Sequence, residues 1–465
     1  MCVTQPSANP MASRTTPLWL WLHVALLGGA QGALITQATC EVTLAGGKAR
    51  LFRAGNPLVF AGAVSRVAGK PAAGDVVDVV DGAGSLIGGG VFNPHSMYRV
   101  RLLAHNEPEL LRHRDVDELL SYRISAAASV RRACCLPSER TTAYRLINGE
   151  GDRLSGLMVD VFGHTAVAVS SAIWLEKHSD AIKHALSEID EIDTVVWRRN
   201  AARLKQDGYE GVQDELGSAP AADLGSAPLG SADLGSAPVD SAARPTQPEE
   251  EQSIEIKEHG LSYRVEPTAG QKSGFYCDQR ENRRMLAELC AGRRVLDLFC
   301  YSGAFAINAA AAGATDVVGV DSSEGAISLA RSNSELNGVG ERCEFIKSDV
   351  LKYLHDVPPG SFDVVICDPP KLAPSVKDLP RATTKYRKFN RMALRALKPG
   401  GILLSCTCSG AMCQSGGFVR MMQDAARAEG RSLTLLREAG AASCHVINPA
   451  YPESAYLQCA LLMAS

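Results

Sequence analysis

The sequence predicts an α/β protein. Its C-terminal part reads as a doubly wound parallel sheet, preceded by a small β-barrel and a middle α+β region. Three observations predict this. From residue 270 onward, apolar strands alternate with helical patterns. Acids stand at or just after the ends of the first three of those strands, as Asp297, Asp321 and Asp349. Between residues 41 and 105, glycines and close turns separate short strands, the pattern of a small barrel. At 465 residues the chain exceeds one ordinary core, so two or three domains are expected. A net charge of −3 does not mark the whole chain as a nucleic-acid binder, although a local basic patch is compatible with it. The 14 cysteines are scattered without a repeated C-x-x-C, which argues against a zinc module or a disulfide framework. They read as small buried hydrophobes in a reducing compartment.

In chain order, residues 1–40 carry an apolar run, Leu18 to Leu27, after Arg14 and before small residues. This resembles a signal-type segment and is too short to span a bilayer. Because a reactive thiol suits a reducing space, the expectation is an organelle presequence, for a plastid or mitochondrion, with a cytoplasmic protein as the alternative. Residues 41–105 form the barrel, with strands expected at Gly74–Asp81, Ser85–Phe92 and Arg99–Leu103. Residues 106–265 form the α+β region, with a helix within 107–145, strands at Leu157–Phe162 and Ala166–Val169, a helix at 176–188 and a strand at Thr194–Trp197. Inside it, residues 214–250 repeat Asp-Leu-Gly-Ser-Ala-Pro at 223–228 and 233–238, a low-complexity insertion expected to be disordered. Residues 266–465 hold the doubly wound sheet. Its five expected strands start with Arg294–Phe299 and end with Phe362–Cys367 and Gly401–Cys406.

The loop Asp297-Leu298-Phe299-Cys300-Tyr301-Ser302-Gly303 joins a strand to a helix. A dinucleotide site would show G-x-G-x-x-G there, and only Gly303 fits, so no pyrophosphate cradle is indicated. The loop opens instead on a carboxylate, which can hold a cationic amino-acid group such as S-adenosylmethionine carries. Asp321 can hold ribose hydroxyls and Asp349 an adenine edge. The cofactor set is Asp297, Phe299, Tyr301, Gly303, Asp321, Ser322, Asp349 and Asp368. Gln271 and Lys272 join it from the polar, aromatic stretch Gly270–Arg280, which suits a lid.

The catalytic set is Cys408, Asp368 and Lys371. Asp368-Pro369-Pro370-Lys371 follows one strand and Thr407-Cys408-Ser409 another. Ligands of open α/β sheets bind outside the carboxyl ends of strands, so a carboxylate, a proline turn and a thiol can meet one substrate. That suits methylation of cytosine C5, a poor nucleophile until a thiolate adds at C6. Cys408 is the expected nucleophile, with Cys406 as runner-up. Asp368 would hydrogen-bond the cytosine ring. Lys371 would lower the thiol pKa or contact phosphate. Cys300, Cys367 and Cys413 read as packing, and His445 as a candidate proton shuttle.

On these residues the chain resembles the RlmI-type large-subunit rRNA (cytosine-5) methyltransferase family. The resemblance runs from about residue 42 to 463 and is carried by G-Q-K-S-G-F-Y-C-D-Q-R, D-L-F-C-Y-S-G-A-F, V-D-S-S, D-P-P-K and T-C-S-G, with Tyr144–Asp152 and Leu154–Asp160 as earlier marks. It implies a PUA-like RNA-binding barrel, a middle α+β domain and a Rossmann-like class I methyltransferase domain. It also implies S-adenosylmethionine as cofactor, large-subunit rRNA as partner, no membrane for the mature form, and a homodimer as an open option. Cys408 matches the family's catalytic cysteine, and Asp297, Asp321, Asp349 and Asp368 its cofactor or active-site acids. The chain departs from the family at Asn56 and Leu58 in the barrel, at Ser273, and at Cys444 and Val446. The alternatives are guanine-N7 methylation without a cysteine nucleophile, and a non-catalytic ribosome-assembly factor.

Overall fold

The computed structural model describes residues 40–105, 107, 115–209, 253–266 and 274–465. The apolar run of the expected presequence, the insertion 214–250, and Gln271 and Lys272 of the expected lid lie outside the described residues.

The first sheet holds β1 (Glu41–Leu44), β2 (Leu58–Phe60), β3 (Val64–Ala68), β4 (Val76–Val80), β5 (Leu86–Phe92) and β6 (Tyr98–His105), in the order β2-β6-β5-β4-β1-β3. Its pairs are antiparallel except β1 with β4. Val42, Phe52, Val59, Val79 and Leu102 fill the core it wraps. A Cβ on Gly90 would meet Arg101 O at 2.2 Å, so β5 and β6 can approach this closely only over glycine.

The second sheet holds β7 (Ala143–Asn148), β8 (Leu157–Phe162), β9 (Thr165–Ser170) and β10 (Thr194–Arg199), in the order β10-β9-β8-β7. The helix Val116–Ala133 lies against it, capped by the Asp115 carboxylate, which accepts from Asp117 N–H. Acids in its first turn and arginines in its last suit the helix dipole. The helix expected over 176–188 is two helices, Ile173–Lys177 and Ser179–Ser187. His178 breaks it, leaving helical geometry at φ −113° with its Nδ1 2.7 Å from Asp117 Oδ1.

A hairpin, β11 (Ile254–Glu258) and β12 (Leu261–Val265), precedes the third sheet. That sheet holds β13 (Arg294–Leu298), β14 (Asp316–Asp321), β15 (Cys343–Lys347), β16 (Phe362–Cys367), β17 (Leu397–Thr407), β18 (Leu433–Ala439) and β19 (Gln458–Ala464), in the order β15-β14-β13-β16-β17-β19-β18. The five strands expected from the sequence are parallel, and β19 runs antiparallel between β17 and β18. The two added strands carry no alternation. Most of β18 is exposed, and β19 is an apolar run whose period says nothing. The chain moves outward from β13 to β15 and returns to β16. The topological switch point, where such sheets bind ligands, therefore lies between β13 and β16.

Buried charges tie the hairpin and the middle region to the C-terminal region. Glu258 takes two hydrogen bonds from Arg283, at 2.6 and 2.5 Å, with both side chains shut from solvent. Arg131 bonds the Asp152 carboxylate and, at 2.7 Å, Cys444 O. Asn148 Nδ2 donates to Val446 O, and a Cβ on Gly151 would lie 2.1 Å from that same oxygen. The run Asn148-Gly149-Glu150-Gly151-Asp152 is thus shaped to receive the chain at Cys444–Val446. Removing one partner of a pair this deep costs about 3–5 kcal/mol, because the other charge stays buried alone.

Candidate active site

The site lies along the carboxyl ends of β13, β14, β16 and β17. The loop after β13 takes positive φ at alternate residues, +63° at Phe299, +47° at Tyr301 and +77° at Gly303. Two of these are not glycine, and each such residue costs on the order of 1–3 kcal/mol, so the surroundings must hold the loop in place. Asp321 at the end of β14 does part of this. Its Oδ2 accepts from Tyr301 N–H at 3.1 Å and its Oδ1 from Ser323 N–H at 2.9 Å. Its half-buried carboxylate keeps spare lone pairs on each oxygen. Gly303 is required for space as well as φ, since a Cβ there would meet Ala330 Cβ and the Phe345 ring at 3.0 Å.

Asp297 is only 1% exposed, and its Oδ2 accepts from Ala306 N–H in the first turn of the helix Ala304–Ala311. Burial pushes its carboxyl up to about 8; the nearby Asp368 and Asp321 charges add to that shift, and Arg283 offsets a little of it. Arg283 itself is committed to Glu258. Three carboxyl groups thus meet at the strand ends, and burial together with the neighbouring charges keeps a proton on Asp297. S-adenosylmethionine carries an ammonium and a sulfonium, so the residues present fit it. Asp349 is exposed and caps the helix Val350–Asp356, accepting from Lys352 N–H at 3.0 Å. Ser322 is exposed beside Asp321.

On the other side, Asp368 follows β16 and Cys408 follows β17, neighbouring parallel strands paired at Cys367 and Ser405. Both residues are half-buried. Anchored hydroxyls flank Cys408. Thr407 Oγ1 donates to Tyr386 OH at 2.9 Å, and Ser409 Oγ donates to Ala373 O at 2.7 Å. Ser409 also caps the helix Gly410–Ser415. The thiol is held at a strand end by bonds to the two segments that follow Asp368-Pro369-Pro370. Lys371 and Cys408 both act electrostatically on Cys413, which places the three in one neighbourhood. The runner-up Cys406 is fully buried opposite Cys459, and burial pushes its thiol well above the usual range. Cys300 and Cys367 are buried in the same way. His445 is buried beside Cys444, its Nδ1 3.4 Å from the sulfur, on the segment that receives Arg131 and Asn148.

Two residues of the site were absent from the sequence-derived set. Gln279 is 3% exposed, and its Nε2 donates to Asp368 Oδ2 at 2.9 Å. Its Oε1 accepts from Asn282 Nδ2 at 2.7 Å, which also donates to Gly440 O at 3.0 Å. A backbone carbonyl can only accept, so it fixes the Asn282 amide and, through it, the Gln279 amide with its N–H₂ toward Asp368. Tyr276 stands edge-on to Tyr301 with ring centroids 5.3 Å apart. Burial, then the charges of Asp278, Cys408, Asp368 and Asp321, push its phenol up, so it stands between the two halves of the site. Both belong to the stretch expected as a lid, but Phe275, Cys277, Asp278 and Gln279 are buried, and this part of it is core. The only available signal was the density of polar and aromatic residues in Gly270–Arg280.

An S-adenosylmethionine-dependent methyltransferase family model matches residues 234–447, and a PUA-like domain model matches residues 42–105. Ribosomal RNA large subunit methyltransferase I of Photobacterium profundum is 33% identical over 90% of this chain and 98% of its own length. The protein of that name from Klebsiella pneumoniae is 31% identical over 90% and 96%. A putative S-adenosylmethionine-dependent methyltransferase structure from Streptococcus mutans superposes with a TM-score of 0.69 at 20% identity, covering 91% of this chain and 99% of that one. A second putative methyltransferase, solved with SAH, gives 0.69 at 19% over the same shares. At these identities the two structures speak for the fold.

The relatives correct one expectation. They are bacterial rRNA methyltransferases, and bacteria have no plastid or mitochondrion to target, so the organelle reading is set aside. The organelle reading rested on the composition of Leu18–Leu27, which an apolar run can share without carrying an address. Relatives above 30% identity across nearly the whole chain, and strand ends fitted to a cationic cofactor, agree: the chain belongs to the ribosomal RNA large subunit methyltransferase I family, S-adenosylmethionine-dependent enzymes with a PUA-like domain.

Proposed function

We propose that this enzyme methylates C5 of a cytosine in large-subunit rRNA, with Cys408 as nucleophile. The observation that carries the reading is the half-buried Cys408, anchored between Thr407 and Ser409 just past the end of β17, the strand that neighbours the one leading to Asp368. S-adenosylmethionine, when bound, supplies an electrophilic methyl group. Asp297 and Asp321 would hold its cationic and ribose groups, with Phe299, Tyr301 and Gly303 shaping the loop around them. The Cys408 thiolate forms a bond from sulfur to C6, and the C5–C6 π electrons become available at C5 for the new carbon–carbon bond. The C5 proton then leaves to a base, its electron pair re-forms C5=C6, and the sulfur–C6 bond breaks to return the thiolate. Asp368, oriented by Gln279, hydrogen-bonds the ring edge and stabilises the charge of the adduct. Lys371, on the same strand-end segment, favours the thiolate. Asp349 and Ser322 border the adenosine side.

The test uses the recombinant chain, methyl-labelled S-adenosylmethionine and unmodified large-subunit rRNA, comparing wild type with Cys408→Ala. Label at cytosine C5 in wild type and none in the variant supports the proposal. Label on guanine N7, or label that survives loss of Cys408, overturns it.

A further inference from the structure

The helix Leu379–Ala396 follows the Asp-Pro-Pro-Lys turn, and only one of its faces serves the site. The inner face buries Ala382, Tyr386, Phe389, Asn390 and Ala393. The outer face carries Arg381, Lys385, Arg387, Lys388 and Arg391, all exposed, with exposed Lys377 just before the helix. No acid occurs from Leu379 to Ala396, although the whole chain has a net charge of −3. This concentration therefore runs against the overall balance.

Internal pairing does not account for it. On a solvated helix, cations usually alternate with acids three or four residues away, because like charges at that spacing repel. Here Arg381 with Lys385, Lys388 with Arg391, and Arg387 with Arg391 are like pairs at those spacings. Among the described residues, only Arg391 of the five makes an ion pair, with Glu429. Lys385 Nζ lies 5.8 Å from the centre of the Phe389 ring.

The basic face is indexed to the chemistry by the same side chains that shape the site. Tyr386 on the inner face accepts from Thr407, next to Cys408. Phe389 stands edge-on to Phe299 of the cofactor loop, with centroids 5.0 Å apart. Lys385, Phe389 and Phe299 form a continuous path from the outer row to that loop.

We infer that this face docks the phosphate backbone of the rRNA substrate and so helps set which nucleotide reaches Cys408. The partner follows from charge complementarity: a row of cations without acids matches a polyanion, and phosphate contacts position a nucleic acid without reading its bases. The inference rests on the rRNA substrate class, not on the Cys408 mechanism.

The test measures binding of the full chain to an unmodified large-subunit rRNA transcript across salt concentrations. Arg387→Glu with Lys388→Glu should weaken binding at least about tenfold at moderate salt. It should also flatten the slope of log K against log salt by about 1.4, or about 0.7 per lost phosphate contact. S-adenosylmethionine binding should stay unchanged. Arg132→Glu with Lys205→Glu, exposed residues of the middle region, imposes the same charge change and should leave the slope alone. Equal losses in both double variants, or no loss in the first, overturn the inference. If charge reversal abolishes S-adenosylmethionine binding through misfolding, Arg387→Gln with Lys388→Gln carries the same test, and an unchanged slope in that variant overturns the inference. Cys408→Ala should bind RNA with the wild-type slope, which separates failure of docking from failure of the C5 reading.

Discussion

The two halves of the site are built by different means. The half proposed for the cofactor, at the ends of β13 and β14, depends on charge and backbone: a carboxyl at Asp297 pushed up to about 8, Asp321 holding two backbone N–H groups, and a loop with three positive φ angles. The half proposed for the substrate, at the ends of β16 and β17, depends on side-chain hydrogen bonds: Gln279 to Asp368, Thr407 to Tyr386, Ser409 to Ala373. The first half keeps a proton on Asp297 that a bound cation would displace. The second is already oriented in the free protein. Changes of pH or charge should therefore act on cofactor binding, and removal of single polar atoms on the methyl-transfer step.

The sharpest way to break this contrast is Cys408→Ser. It should lower methyl transfer to rRNA by at least about a thousandfold, while calorimetry shows S-adenosylmethionine affinity within about twofold of wild type. A large loss of cofactor affinity would mean that the halves are not separable. Next, Gln279→Glu replaces the donor facing Asp368 with a like charge. The rate constant should fall about ten- to hundredfold, since losing a buried charged hydrogen bond costs roughly 1.5–3 kcal/mol. Asn282→Asp should give a smaller loss, and an unchanged rate in both would remove Gln279 from the site.

The cofactor half is sharpened by pH. Asp297 has its folded pKa raised above its unfolded value of 3.8, to about 8. The folded, ligand-free protein thus holds a proton that the unfolded chain releases. Stability from this group is full below about pH 4 and is lost as pH rises through about 8. A bound cation favours the ionised form. S-adenosylmethionine affinity should therefore rise with pH up to about 8, by at most about tenfold per unit, and level off above. Asp297→Asn should flatten that slope, and a slope that persists would assign it to another group. Gly303→Ala should cost about 1–3 kcal/mol in thermal unfolding from its φ and its clash with Ala330 and Phe345. It should also weaken cofactor binding. The smallest effect expected is from Thr407→Val, about 1 kcal/mol for each of the two hydroxyl bonds lost, to Tyr386 OH and from Ser409 N–H, with a decrease in rate and no change in cofactor affinity.

Legibility in the sequence followed the same division. Asp297, Asp321, Asp368 and Cys408 stood out because each lies at or next to the end of an apolar run that is itself a strand, and strand ends are where such sheets bind ligands. The last two strands were not legible, since an exposed strand and a uniformly apolar one lack the period that identifies a strand. Nor were Gln279 and Tyr276. They lie about ninety and one hundred and thirty residues before the groups they face, and no local pattern records a contact across that separation.

The sequence by itself determined the order of strands and helices in the parallel part of the sheet, the acids at its edge and the thiol motif, because these rest on local period and composition. Only the tertiary structure decided which of two cysteines two residues apart is accessible. Cys406 faces Cys459 across an antiparallel pair inside the core, whereas Cys408 lies past the end of the strand. The tertiary structure also decided that a glutamine amide is aimed at Asp368, because its orientation is inherited from a carbonyl at Gly440, far along the chain. Burial and hydrogen-bond direction depend on what the rest of the chain brings close, and that is set by packing.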